Sequence, residues 1–112
     1  MLLIREIMYC KPGKVRAMVE KCQVMAKLMK KSGQGELRVM TDLVGERYWT
    51  AIMEFEVKDL KAFEDMMAGK GMSEADTREM DNAMKGYHEL VENGKREIYK
   101  IEEVPAAVGA AR

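Results

Sequence analysis

The sequence holds one histidine, one tryptophan, two prolines and two cysteines in 112 residues, and its charge of either sign cancels, 19 Lys and Arg against 19 Asp and Glu. Each shortage excludes something. A lone histidine, His88, cannot build a multi-histidine metal site, and no zinc-ligand set stands elsewhere. Cys10 and Cys22 have neither metal-ligand spacing nor a second pair, so they read as free thiols of a reducing compartment. Zero net charge removes the basic footprint of a nucleic-acid binder. No apolar run is long enough to span a bilayer, and Met1-Leu2-Leu3-Ile4-Arg5-Glu6 is charged too early for a signal peptide. No serine-nucleophile motif and no Gly-rich phosphate loop occur either. The expectation is a cytoplasmic protein with no metal, cofactor, membrane or nucleic-acid partner.

Methionine is the abundant residue, at twelve. Its flexible thioether fills irregular cores and shape-tolerant pockets. At this length the chain forms one domain, expected over 1–104, with Pro105 to Arg112 as a flexible tail.

The chain is organised around Glu36 to Val57. Two alternating arms, Leu37 to Leu43 and Arg47 to Glu56, flank Val44-Gly45-Glu46, a hairpin signal. A three-residue connection pairs Leu43 with Arg47, Thr41 with Trp49, Val39 with Ala51 and Leu37 with Met53. That register puts Leu37, Val39, Trp49, Ala51, Met53 and Phe55 on one face, with Trp49 read as a core anchor. The other face carries Arg38, Met40, Asp42, Tyr48, Thr50, Ile52 and Glu54.

Before the hairpin, Leu2 to Tyr9 reads as a strand; each face has one central charge, Arg5 or Glu6, so the core face stays open. Lys11-Pro12-Gly13 breaks it. Val15, Met18, Val19, Cys22, Met25, Ala26 and Met29 then recur at helical spacing up to Lys31, and Ser32-Gly33 stops the helix. The soft stripe Met18, Cys22, Met25 and Met29 has the period of ordinary core packing, which is preferred over a copper site. After the hairpin, Asp59 caps a short helix with Leu60, Phe63 and Met67. Ser73 restarts a helix carrying Met80, Ala83, Met84, Tyr87 and Val91, ended by Asn93-Gly94, with Gly86 inside it at a cost of about 1 kcal/mol. Lys95 to Val104 is the last strand.

The order β-α-β-β-α-β is the ferredoxin-like pattern of an α+β domain, and right-handed crossovers order its four-stranded antiparallel sheet 4-1-3-2 with both helices on one face. The uncovered face invites a second copy, hence a homodimer enclosing a barrel-like space.

Lys11-Pro12-Gly13-Lys14 opening the first helix, the hairpin ending in an aromatic-rich strand, and the closing Arg96-Glu97-Ile98-Tyr99-Lys100-Ile101 strand resemble the dimeric α/β-barrel superfamily over about Leu3 to Glu103. Within it, the chain is similar to NIPSNAP-like proteins and to antibiotic-biosynthesis-type monooxygenases. The resemblance implies a dimer with a pocket between sheet and helices, and no single activity. Haem-degrading members pair a helix histidine and a strand tryptophan with an asparagine on the first strand; that asparagine is absent here, so haem is not expected.

The candidate site is the polar hairpin face. Arg38 is read as a carboxylate clamp, Tyr48 as a stacking surface and donor, Thr50 as a further ligand contact and Glu54 as a general base, with His88 as a second candidate base. The competing reading makes Arg38 and Glu54 a structural ion pair at the dimer seam. The expected function is binding of a small aromatic or apolar-acidic molecule, with cofactor-independent oxygenation or isomerisation as its chemistry, or else a non-catalytic interaction or carrier module.

Overall fold

The computed structural model describes residues 1–104, and the tail expected over 105–112 lies outside the described residues. Along the chain run β1 (Leu2–Cys10), α1 (Val15–Lys31), β2 (Arg38–Thr41), β3 (Thr50–Val57), α2 (Leu60–Met67), α3 (Glu74–Met84), a 3-10 turn (Tyr87–Glu89) and β4 (Val91–Lys100). The strands form one antiparallel sheet in the order β2-β3-β1-β4. That is the ferredoxin-like α+β arrangement expected from the element order.

The pairing of β1 settles the question its sequence leaves open. Ile4 stands beside Phe55 and Met8 beside Ala51, so Leu2, Ile4, Glu6 and Met8 face the helices and Arg5 faces away. Ile4, Met29, Phe55, Val57 and Phe63 form one half of the core. Cys10, Met18, Cys22, Ala51 and Met53 form the other. Met25 and Leu37 touch both halves. The soft stripe of α1 is thus core packing: Met18, Cys22 and Met29 are buried. Lys30 and Lys31 end that helix, where cations suit its dipole.

The hairpin differs from its expected register. Val39 pairs with Met53 and Thr41 with Ala51, two positions from the reading above. A shift of two keeps every side chain on its face, so the division into apolar and polar faces survives. The connection is longer than three residues because Asp42 closes it. The Asp42 side chain accepts from the Thr50 N–H at 2.8 Å, and the Thr50 hydroxyl donates to the Arg47 carbonyl at 2.9 Å. Trp49 sits at φ 61°, outside strand geometry, and is 43% exposed. It is not the core anchor its sequence position suggests.

The second long helix is also shorter than expected. Ser73 caps α3 as predicted, its hydroxyl accepting from the Asp76 N–H at 3.1 Å, and Asp59 caps α2 through the Ala62 N–H at 2.8 Å. But α3 ends at Met84. Gly86 takes φ 82°, a left-handed conformation that glycine adopts without a Cβ clash. The chain therefore turns there, and β4 begins at Val91. Asn93-Gly94, expected to stop a helix, lies inside β4. A Cβ on Gly94 would stand 2.6 Å from the Ile7 carbonyl oxygen. Gly94→Ala is expected to force the central β1–β4 pairing apart and cost about 1–3 kcal/mol, read as a fall in the urea midpoint; an unchanged midpoint would show that the strands relax freely.

Candidate functional site

α3 buries no apolar side chain; its one buried residue is Asp76. The helix is held at both ends by lysines of α1. Lys31 Nζ donates to Asp76 Oδ1 at 2.9 Å, and Lys21 Nζ donates to the carbonyls of Ala83 and Lys85 at 2.9 and 2.7 Å. The second contact neutralises carbonyls that a helix C-terminus leaves unpaired. Resting on α1 through polar contacts, α3 stands off the sheet.

A cavity of about 910 Å³ opens between α3 and the sheet. Nine of the twelve methionines line it, among them Met8 of β1, Met53 of β3, Met25 and Met29 of α1, and Met80 and Met84 of α3. This explains the methionine load: the thioethers wall an apolar space and adapt to its occupant.

The methionines share the lining with polar residues, among them Glu6, Asp81, His88, Glu92, Lys95 and Arg96. Glu6 comes from the helix-facing side of the central strand β1, and Arg96 stands beside it on β4. Arg96 Nε donates to Glu6 Oε1, and its guanidinium carbon lies 5.0 Å from the centre of the Phe63 ring. The guanidinium is thereby held over an aromatic face, with its Nη groups left for another acceptor. At the β4 entrance His88 lines the cavity from the 3-10 turn, its ring 3.9 Å from that of Tyr87. Among the described residues no group of three or more His, Cys, Asp or Glu could hold a metal ion.

Among the described residues no helix covers the opposite face of the sheet. One row of paired positions crosses all four strands there: Arg38, Glu54, Arg5 and Glu97, alternating in sign. Glu54 is its centre, with a side chain only 9% exposed. Arg38 Nη2 donates to Glu54 Oε1. Arg5 Nε lies 2.9 Å from Glu54 Oε2, in an ion pair whose N–H does not point at the oxygen. Arg5 Nη1 is also 3.7 Å from Glu97.

The structure thus brings Arg38 and Glu54 together and keeps the other sequence-derived candidates apart. Thr50 is on the same face but engaged in closing the hairpin. Tyr48 projects from the connection, 85% exposed. His88 is on the helix side, separated from Glu54 by the sheet. Glu6 and Arg96 were not among the site residues expected from sequence; Glu6 had one signal, a charge on the otherwise apolar face of Leu2, Ile4 and Met8, and Arg96, on a face shared with Glu92 and Lys100, had none.

Both cysteines are buried and free. Burial pushes the Cys22 thiol up to about 11, with Cys10 adding to the effect. Cys10 is also raised, first by burial and then by Asp42. Neither is a poised nucleophile, since the thiolate is the reactive form.

No protein-family model matches this sequence, and no curated protein is significantly similar to it. Solved structures do match. A NIPSNAP-like domain protein from Burkholderia xenovorans superposes with TM-score 0.70 at 12% identity, covering 93% of this chain and 87% of its own. A NIPSNAP family protein from Agrobacterium tumefaciens gives TM-score 0.67 at 11% identity over 91% and 93% of the two chains. A candidate antibiotic biosynthesis monooxygenase from Deinococcus radiodurans gives 0.65 at 14% identity over 94% and 96%. The protein has the ferredoxin-like fold of these NIPSNAP-like and monooxygenase-like proteins. At such identities the likeness is one of fold, which hosts many functions. Among the described residues no helix is long and apolar enough to cross a membrane.

Proposed function

We propose that the protein is a homodimer that binds a small, largely apolar or aromatic acid in the methionine-lined cavity. The cavity carries this reading: about 910 Å³ of methionine-rich space with the Arg96 guanidinium and Lys95 in its wall. Pockets of this size, apolar with a few placed polar groups, suit small organic ligands. The methionines take the apolar body and tolerate its shape. The Arg96 Nη groups take the carboxylate or enolate, while Glu6 and Phe63 keep the guanidinium in place.

Chemistry in this cavity would be cofactor-independent proton abstraction, the first step of an isomerisation or of oxygenation of a stabilised carbanion. The groups lining the cavity that could take that proton are His88, Glu6, Asp81 and Glu92. Glu54 is enclosed by arginines across the sheet and serves the dimer face instead. A carrier without chemistry is the second reading, favoured by the direct pairing of Glu6 with Arg96. The homodimer is supported by the uncovered sheet face, where the half-buried Met40 and Ile52 adjoin the charge row and leave apolar surface that a second copy could cover.

The test is titration calorimetry with dodecanoate and with dodecanol. The acid is expected to bind at least tenfold tighter, since a charge-assisted hydrogen bond contributes about 1.5–3 kcal/mol. Arg96→Met removes that difference and leaves the alcohol's affinity alone. Equal binding of acid and alcohol to the unmodified protein would overturn the acidic ligand class, and binding of neither would overturn the site.

A further inference from the structure

The connection between β2 and β3 displays large apolar side chains to water. Leu43 is 98% exposed, Val44 99% and Tyr48 85%. It is nevertheless held in place. Asp42 and Thr50 close its neck, and the Trp49 carbonyl accepts from the Cys10 N–H at 2.8 Å. Arg47 reaches across the open sheet face, its guanidinium carbon 4.1 Å from the Tyr9 ring centre and Nη1 3.3 Å from the Asn93 side-chain oxygen. Trp49 itself stays at φ 61°, an unfavourable conformation for a bulky L-residue. A pinned segment with bare leucine and valine at its tip has the form of a docking arm.

We propose that this arm packs on a second copy of the chain, at the end of that copy's cavity. The inference rests on the homodimer reading, and the charge row supplies its geometry. From β2 to β4 the row reads positive, negative, positive, negative through Arg38, Glu54, Arg5 and Glu97. Turned about an axis parallel to the strands, a second copy presents the reversed order. Arg38 then meets the partner subunit's Glu97, and Glu54 meets the partner subunit's Arg5. An axis across the strands would instead set like charge on like, a costly arrangement. The isologous contact selected by charge is therefore the one with its two-fold along the strands.

That axis has a consequence for the arm. It brings the β2 edge of one protomer beside the β4 edge of its partner and preserves position along the strands. Thr41, where β2 ends, is level with Gly94 through Ala51 and Met8. The arm continues beyond that level and so reaches the start of the partner's β4. In each chain that segment, Val91 to Asn93, lines the cavity next to His88. Each arm is thereby brought to the strand end that borders the His88 side of the opposite cavity, and in this proposal it wraps that end from the open-face side, so that a complete site needs two copies.

Val44→Cys with Glu92→Cys tests this on exposed positions, the native thiols being buried. Sedimentation first reports the assembly; a short bis-maleimide then probes the contact. A covalent dimer on a denaturing gel is expected, and mixing the two single variants gives the same band while neither alone does. A protein that sediments as a dimer yet yields no covalent dimer overturns the arm and leaves the dimer standing. A monomer removes the homodimer reading and the arm with it. Leu43→Ser with Val44→Ser, which disturbs no core contact, is expected to weaken the dimer by about tenfold; an unaltered dissociation constant contradicts the proposal.

Discussion

Glu54→Leu is expected to destabilise the protein by about 3 kcal/mol, the largest effect of any charge on its sheet. The carboxylate is almost wholly buried and has two arginines on it, whereas the Arg38 side chain is 72% exposed. Removing Glu54 leaves Arg5, whose side chain is 31% exposed but whose Nε is buried, with a partly desolvated positive charge and only the longer contact to Glu97. Removing Arg38 leaves Glu54 still paired, so Arg38→Leu should cost under about 1 kcal/mol. The asymmetry is the diagnostic result. Adding Arg5→Met to Glu54→Leu should recover most of the loss, because a buried pair replaced whole by apolar groups is often neutral. Urea titrations at fixed protein concentration measure all three, the concentration being held because a dimer's stability depends on it. Similar small effects for Glu54→Leu and Arg38→Leu would mean that water screens the row throughout.

The second large effect is alkaline. The Cys22 thiol is raised from an ordinary 9.0 to about 11 by burial in the core. The unfolded chain thus loses this proton at lower pH than the folded one does. The neutral thiol's contribution is fully present below pH 9 and is lost as pH rises towards 11. The loss amounts to about 2–3 kcal/mol at 1.36 kcal/mol per pKa unit. Lysines and tyrosines titrate in the same window, so the quantity to compare is the difference between the protein and its Cys22→Ala variant. Cys22→Ala is less stable at pH 8 because a buried sulfur is gone, and the gap is expected to narrow as pH climbs to 11. A constant gap would mean that Cys22 titrates alike in both states. The same burial should hold both thiols unreactive to iodoacetamide in the native protein and release them on denaturation.

Much of the fold is legible without coordinates, for local reasons. Period-two alternation marks β3, and helical spacing marks α1 from Val15 to Met29. Asp59 and Ser73 announce their helices because their side chains accept from N–H groups that a helix start leaves unpaired. The order of elements and the right-handed crossover rule then leave one compact sheet order, β2-β3-β1-β4. Even the hairpin's division of faces survives a wrong register, since a slip of two residues keeps parity.

What only the tertiary structure decides is where the chain departs from those periods, and what each face meets. Gly86 reads as an interruption within a helix; in the fold it is left-handed and moves Tyr87, His88 and Val91 from a helix to a turn and a strand. Trp49 alternates like a strand residue and lies outside one, because Asp42 closes a longer loop. Arg5 and Glu6 are equivalent in sequence, and pairing with β3 alone sends one to the charge row and the other to the cavity. The cavity depends on α3 being held to α1 by two lysines, contacts joining residues 45 to 64 positions apart. Periodicity reports which side of an element is apolar. It carries no information about which distant element that side will face, and the candidate site consists of such encounters.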